Sequence, residues 1–366
     1  MAILHLQSGD GKTGGIASYI ARLTSSVVPG VKSFVTVNTA FEDEVKIQAF
    51  YPNASPIQFS AEYSSVSFLV SVISLVKIIR EQSIDILHAH ALRAGLLACC
   101  TSRFVKMPFV YTNHGVRFVQ ISNRIKRLIW RYLEYCVIRT ADVIVCVRQH
   151  DRNVLLTQWP FLKDKVQVIN TRIDAVAARH GEPNSAEPLF VGCGSLIGVK
   201  RVDRFVDWCC AISLTGIKGR YMWVGDGVLA DELQRYAHRR NVQIEWVGNL
   251  DRAGVDEVLR RAHFLFLTSD FEVLPLVVLE ALSFGTPVVA SEFPGVRDII
   301  TDDDTGIIVD TDTSSLDVAH RVVARLSDSQ RYLAMRRNAE RLFRERYSGS
   351  DIMRGEYAMV HSSLVT

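Results

Sequence analysis

No two of the seven cysteines in this 366-residue chain stand at C-x-x-C spacing, although Cys99/Cys100 and Cys209/Cys210 are adjacent. An odd number in that arrangement points to neither a zinc site nor a disulfide framework. The cysteines read as small buried hydrophobes in a reducing compartment. A surplus of one charge is missing as well: 42 Lys and Arg against 39 Asp and Glu leave +3, too little to argue for a nucleic-acid partner. Nor is there a long apolar run. The most apolar stretch, Val66–Ile79, is broken by Ser67, Ser71, Ser74 and Lys77 and is too short and polar to span a bilayer. The opening AILHLQS reads as a strand, with no charged region ahead of an apolar core, so no secretory leader is expected. The expectation from these absences is a cytoplasmic protein.

What is present is a chain able to build large cores, 48% hydrophobic and 22% charged, with a length that suits about two domains. Short apolar runs alternate with helical patterns. Strands are expected at Ile3–Gln7, Ser33–Asn38, Ile84–His88, Phe109–Asn113, Val143–Val147 and Val166–Ile169. A second series follows at Leu189–Gly192, Gly219–Val224, Ile244–Val247, Phe264–Thr268, Pro287–Ala290 and Gly306–Val309. Runs that are continuously apolar rather than alternating imply sheets covered on both faces. Strands alternating with helices imply parallel, doubly wound sheets of the α/β class. The polar, aperiodic segment 177–188 reads as a linker. It would separate a Rossmann-like domain over 1–176 from a second over 189–350.

The densest chemistry lies in Ser269–Ser291, SDFEVLPLVVLEALSFGTPVVAS. Glu272 falls in a loop, Pro275 opens a helix over Leu276–Phe284, and Glu280 sits inside that apolar helix. Proline at the first helical position loses no hydrogen bond. The free amides of the first turn can receive an anion. A carboxylate inside an apolar helix is costly unless it has a partner. Two carboxylates with seven residues between them, flanking free amides, could hold a phosphorylated, hydroxyl-rich ligand.

This segment resembles the E-x7-E signature of retaining glycosyltransferases of family 4, which use nucleotide sugars and have the GT-B fold. The resemblance implies two Rossmann-like domains facing a cleft, with a last helix, about 351–366, crossing back to the first domain. It implies that Glu280 holds the ribose, that Glu272 faces the donor sugar, and that the amides of Leu276 and Val277 bind phosphate. Phe190–Asp203, FVGCGSLIGVKRVD, resembles the family's diphosphate-binding loop. It puts Lys200 on the lysine position, with Arg201 beside it, and Ser195 where many members have arginine. Val273 replaces the glycine that often follows the first glutamate. Trp223–Leu233, WVGDGVLADEL, resembles the family's strand–turn–helix, with Asp226 shaping the turn. In the first half, Gly14-Gly15 resembles the family's Gly-Gly loop against the donor phosphate. Tyr111–Gly115, YTNHG, places His114 near the anomeric carbon. DILHAH carries His88 and His90 in structural or acceptor-side positions, with no third metal ligand evident. The acidic run Asp302–Asp304 reads as solvated. The family implies no metal and no cofactor beyond the nucleotide sugar itself.

Other readings are open at this point. Gly9–Gly14, GDGKTG, satisfies G-x-G-x-x-G and would suit an NAD-dependent oxidoreductase, but the second strand ends without the ribose carboxylate that reading needs. A P-loop would need glycine where Leu6 stands. A nucleotide-sugar epimerase and an inactive binding module share the GT-B fold. The basic, amphipathic stretch Arg117–Arg139 suits either a solvated domain helix or the surface of an anionic membrane. The expected activity is transfer of a hexose-type sugar to a glycan or lipid-linked acceptor in cell-envelope polysaccharide or lipopolysaccharide synthesis, in the cytoplasm or at the inner membrane face.

Overall fold

In the computed structural model, residues 1–7, 15–25, 28–37, 44–59, 65–174 and 187–365 are described. The chain forms two compact units, Met1–Arg172 with Gly349–Thr366, and Ile173–Ser348. Gly9–Gly14 and most of the segment read as a linker lie outside the described residues.

In the first unit the order is β1 (Ala2–Gln7), α1 (Gly15–Leu23), β2 (Lys32–Val37), α2 (Glu44–Phe50), β3 (Ser55–Gln58), α3 (Ser65–Glu81) and β4 (Ile86–His90). It continues with α4 (Ala91–Val105), β5 (Phe109–Asn113), α5 (Arg124–Thr140), β6 (Val143–Cys146), α6 (Gln149–Gln158) and β7 (Val166–Val168). The seven strands form one parallel sheet in the order β3-β2-β1-β4-β5-β6-β7. β1, β4 and β5 are buried along nearly their whole length, as continuous apolar runs in a doubly covered sheet require.

The second unit runs β8 (Leu189–Cys193), α7 (Val202–Leu214), β9 (Arg220–Val224), α8 (Ala230–Arg239), β10 (Glu245–Trp246), α9 (Arg252–Arg261) and β11 (Phe264–Leu267). Then come α10 (Leu276–Ser283), β12 (Val288–Ser291), α11 (Val296–Ile299), β13 (Gly306–Val309), α12 (Ser315–Ser327) and α13 (Ser329–Arg346). Its six strands are parallel in the order β10-β9-β8-β11-β12-β13. The last helix, α14 (Ser350–Ser362), belongs to the first unit. There Tyr357 meets Tyr19 of α1, hydroxyl to hydroxyl, at 2.5 Å.

Both parallel sheets expected from the sequence are present. Two details differ. β3 was not expected: it is a four-residue edge strand containing Pro56, and proline in a short run argues against a strand unless it is at an edge. β4 begins and ends two residues later than the apolar run suggested, so His90 closes the strand.

Glycines let neighbouring strands and loops of the second unit approach one another closely. A Cβ on Gly192 would lie 2.2 Å from the Trp223 ring. That ring packs edge-on to Phe205 at 5.1 Å between centroids, and Phe205 to Phe266 at 5.9 Å. Gly225 has φ +128°, and a Cβ there would lie 2.2 Å from the carbonyl oxygen of Gly194. Asp226 accepts from the Gly227 amide at 2.7 Å, and its carbonyl accepts from Leu196 N at 3.0 Å. The glycine turn thus fixes the loop after β8. Gly225→Ala is expected to cost roughly 3 kcal/mol, from backbone strain and a clash with main chain that has no rotamer to yield. Urea unfolding followed by tryptophan fluorescence checks this, and an unchanged midpoint would count against it.

Candidate functional site

A parallel sheet gathers its loops at the carboxyl ends of its strands, and the crevice opens where the strand order reverses. In the second unit the chain leaves β8 in one direction for β9 and returns on the other side as β11. The loops after β8 and β11 are therefore neighbours. Two hydrogen bonds to backbone carbonyls help join them: Thr268 Oγ1 donates to the Lys200 carbonyl at 2.9 Å, and Asp270 N donates to the Val199 carbonyl at 3.0 Å. Across this seam Lys200 Nζ donates to Glu272 Oε1 at 2.5 Å, and Ser269 Oγ donates to the same oxygen at 2.7 Å. Two residues singled out separately in the sequence, 72 positions apart, form one half-buried ion pair. Shielding from water makes such a pair stronger than its exposed counterpart.

Arg201, expected beside Lys200 on a diphosphate, is turned to two acids. Its guanidinium donates to Asp203 at 2.8 Å and to Asp270 at 3.2 Å. The hydrogen bond to Asp203 holds it still more firmly protonated. Glu280 is buried on α10 and has the partner its position requires: Arg252, the first residue of α9, donates to it. Arg252 also pairs with Asp256 at 3.0 Å. The sequence reading missed Arg252. A signal was available, because a cation in the first turn of a helix opposes the helix dipole and so asks for a task elsewhere. Pro275 is the N-cap of α10 rather than its first residue, and it offers no side-chain cap. Leu276 and Val277 occupy the first turn, where amides lack an intrahelical acceptor. Ser195 is exposed and Val273 half-buried. The acidic run is partnered: Asp302 and Asp303 bond Arg321, Asp303 also Arg325, and Asp304 Asn338.

In the first unit, Gly15 is the exposed first residue of α1, and Gly14 lies outside the described residues. His114 directly follows β5. Its Nε2 stands 3.2 Å from His90 Nδ1, and the Tyr19 ring meets it edge-on at 4.9 Å. Burial lowers its pKa to about 3, so it is neutral at physiological pH. The loop carrying it is held from below. Asn113 Oδ1 accepts from Gly115 N at 2.8 Å, and Asn113 Nδ2 donates to Glu134 Oε1 at 2.8 Å. Tyr111 donates to that same oxygen at 2.9 Å. A third histidine near His88 and His90, not evident from the sequence, is His5 on β1. The three bring ring nitrogens within 4.8 Å of one another. The His88 nitrogens are both engaged, Nε2 with Thr112 at 2.7 Å and Nδ1 with His361 at 3.1 Å.

On α5 the residues Arg124, Lys126, Arg127 and Arg131 are exposed together with Ile125, Leu128, Ile129 and Tyr132. The helix's single acid, Glu134, is buried. Among the described residues no helix is long and apolar enough to cross a membrane.

Residues 14–176 match the Glycosyltransferase Family 4 model and residues 177–342 the model of glycosyl transferases group 1. An uncharacterized glycosyltransferase of Methanocaldococcus jannaschii is 24% identical over 301 residues, covering 81% of this chain and 80% of that one. The Escherichia coli UDP-Gal:alpha-D-GlcNAc-diphosphoundecaprenol alpha-1,3-galactosyltransferase is 22% identical over 296 residues, covering 75% and 74%. The Anabaena protein HepE in complex with UDP superposes over 100% of both chains with a TM-score of 0.82 at 18% identity.

Glu134 offers a direct test of how the His114 loop is held. Burial raises its pKa from 4.5 to about 7. A carboxyl whose pKa is raised by folding contributes stability that is full below its unfolded pKa and is lost as pH rises through the folded one. Stability should therefore fall by roughly 3 kcal/mol between pH 4.5 and pH 8 on account of this group. Glu134→Gln keeps an oxygen for Tyr111 and Asn113 but cannot ionise. The variant should lose that fall and be the more stable protein at pH 8. Parallel pH-dependent melts that superpose for the two proteins would contradict this.

Proposed function

The chain is a glycosyltransferase of the two-domain GT-B fold, and from that premise we propose that it moves a hexose-type sugar from a nucleotide diphosphate to a hydroxyl of a glycan or lipid-linked acceptor, with retention of anomeric configuration. The observation that carries this reading is the meeting of Lys200 and Glu272 at the β8/β11 reversal, beside the uncapped start of α10.

In this reading the diphosphate lies against the Leu276 and Val277 amides and takes the Lys200 ammonium. Both stabilise the charge that builds on the departing phosphate oxygens. Glu280, oriented by Arg252, accepts from the ribose hydroxyls. Glu272 and His114 face the transferred sugar. Arg201 acts on the diphosphate only by exchanging an acid for it, which leaves Lys200 as the principal cation. Retention by a covalent route would need a carboxylate nucleophile at the anomeric carbon. Same-face substitution needs no such nucleophile and is the proposed route. The bond from the anomeric carbon to the diphosphate oxygen breaks, the acceptor oxygen bonds on the same face, and its proton passes to the leaving phosphate. No metal is part of this scheme.

Kinetics on the purified protein without added metal test it, after a thermal-shift screen with UDP, GDP and ADP sugars has found the donor. Glu280→Ala should raise the donor KM at least tenfold with a smaller effect on kcat. Lys200→Ala should lower kcat a hundredfold or more, the size of losing one preorganised charge-stabilising group. Ordinary kinetics in both variants would end the reading. A product with inverted anomeric configuration by NMR would end its stereochemical part alone.

The exposed face of α5, with its four cations and four apolar side chains, is assigned to an anionic membrane surface that carries the acceptor lipid. Each cation near such a surface contributes about 1 kcal/mol. Replacing Arg124, Lys126 and Arg131 by serine should weaken co-sedimentation with phosphatidylglycerol-containing vesicles at least tenfold. Equal sedimentation of the two proteins, or equal binding to pure phosphatidylcholine, would reject the assignment.

A further inference from the structure

Half of the chain's ten histidines gather in the first unit: His5 on β1, His88 and His90 on β4, His114 after β5, and His361 on α14. They form two hydrogen-bonded strings. In one, Tyr19, Tyr357, Thr112, His88 and His361 follow one another at separations of 2.5, 3.1, 2.7 and 3.1 Å. In the other, His5 Nδ1 stands 3.2 Å from His90 Nε2, and His90 Nδ1 stands 3.2 Å from His114 Nε2. The strings touch where His88 stacks on His90, with centroids 4.3 Å apart.

A spacing of 3.2 Å between imidazole nitrogens also suits two ligands of one tetrahedral cation, whose bonds are about 2.0–2.1 Å. The third candidate, His88, has both nitrogens committed to Thr112 and His361. The hydrogen-bonded reading uses every short contact and needs no ion.

The second string constrains where its protons sit. Burial keeps the three rings of the second string neutral, so each carries one N–H. Each of the two gaps needs one proton: two facing lone pairs repel, and two facing N–H groups clash. If His5 donates from Nδ1, His90 must accept at Nε2 and carry its proton on Nδ1. His114 then accepts at Nε2 and carries its own proton on Nδ1. If His114 donates from Nε2, every proton sits on Nε2 instead. Only these two arrangements fill both gaps once.

We propose that His5 and His90 are positioning residues that tie the tautomer of His114 to their own, so that the three rings hold the same tautomer and change it only together. The string decides whether the remaining nitrogen of His114, Nδ1, offers a donor or an acceptor to the transferred sugar. This last step rests on the reading of His114 given above. No proton need enter or leave the string for this tie to act. The groups that face it are His88 and His361 beside His5, His88 and Tyr19 beside His90, and Tyr19 beside His114.

The test is two-bond 1H–15N correlation of the histidine rings in the full chain, assigned by single His→Gln variants. The expected result is one shared tautomer for His5, His90 and His114. A mixed set, such as an Nδ1–H ring beside an Nε2–H ring, overturns the proposal, as would loss of the ring signals' tautomeric pattern on addition of Zn²⁺ at stoichiometric concentration. His5→Phe keeps the ring's bulk and removes the string's far end. It should leave His114 as a mixture of tautomers and lower kcat about tenfold with little change in donor KM. If His5→Phe does not fold, the wild-type spectrum decides alone. A shared tautomer together with normal kinetics in His114→Phe would retain the tie and reject only the sugar contact.

Discussion

Reversal of strand order is the constraint on which the rest depends. In each sheet the first strand has its sequence successor on one side and a later strand on the other. The right-handed crossovers of parallel sheets lay their helices on both faces and leave the carboxyl ends of those two strands uncovered between diverging loops. Lys200 and Glu272 meet there in the second unit, and the histidines of β1 and β4 gather at the corresponding end of the first. Neither grouping could form if β8 and β11, or β1 and β4, were not hydrogen-bonded neighbours.

Both units bury ion pairs, Arg148 with Asp151 in the first and the two site pairs in the second, but the site residues of each are ordered differently. In the second, charges are kept and paired, Lys200 with Glu272 and Arg252 with Glu280. A buried charge without a partner costs several kcal/mol, so each pair stabilises its members as well as aligning them. At the ends of β1, β4 and β5 in the first unit the groups are imidazoles that burial keeps neutral, and their order comes from hydrogen bonds. Glu134 lies between these cases. It accepts two hydrogen bonds, but burial still outweighs them and raises its pKa.

The sequence made most of the framework legible, because continuous apolar strands and helical periodicity are local properties. It failed where the deciding term was not local. β3 pairs only with β2 at the sheet's edge, and nothing within Ser55–Gln58 marks it except that partner. β4 continues past His88, where the expected strand ended, to His90, whose ring finds hydrogen-bond partners beyond its own strand. The Lys200–Glu272 pair was legible as two family positions but not as a contact. The coupling of His5 to His90 spans 85 residues and has no short-range trace. Gly9–Gly14, whose spacing admitted an oxidoreductase, lies outside the described residues, while glycosyltransferase models match both halves of the chain.

The partners of Lys200 and Glu280 also bear on how a ligand could be admitted. A diphosphate approaching Lys200 must take the place of the Glu272 carboxylate or share the ammonium with it. Removing a buried carboxylate's partner ordinarily leaves an uncompensated charge, which would set a barrier against binding. Ser269 alters that balance, because its hydroxyl already donates to the same Glu272 oxygen and stays with it if Lys200 turns away. Sugar hydroxyls can supply further donors. Arg252 stands in the same relation to Glu280 and is itself held by Asp256, so a ribose can join the carboxylate without freeing the guanidinium. On the proposed donor pose, the site would exchange one set of partners for another rather than uncover bare charge. Such an exchange would let the cations stay ordered before a donor arrives and still allow the product to leave.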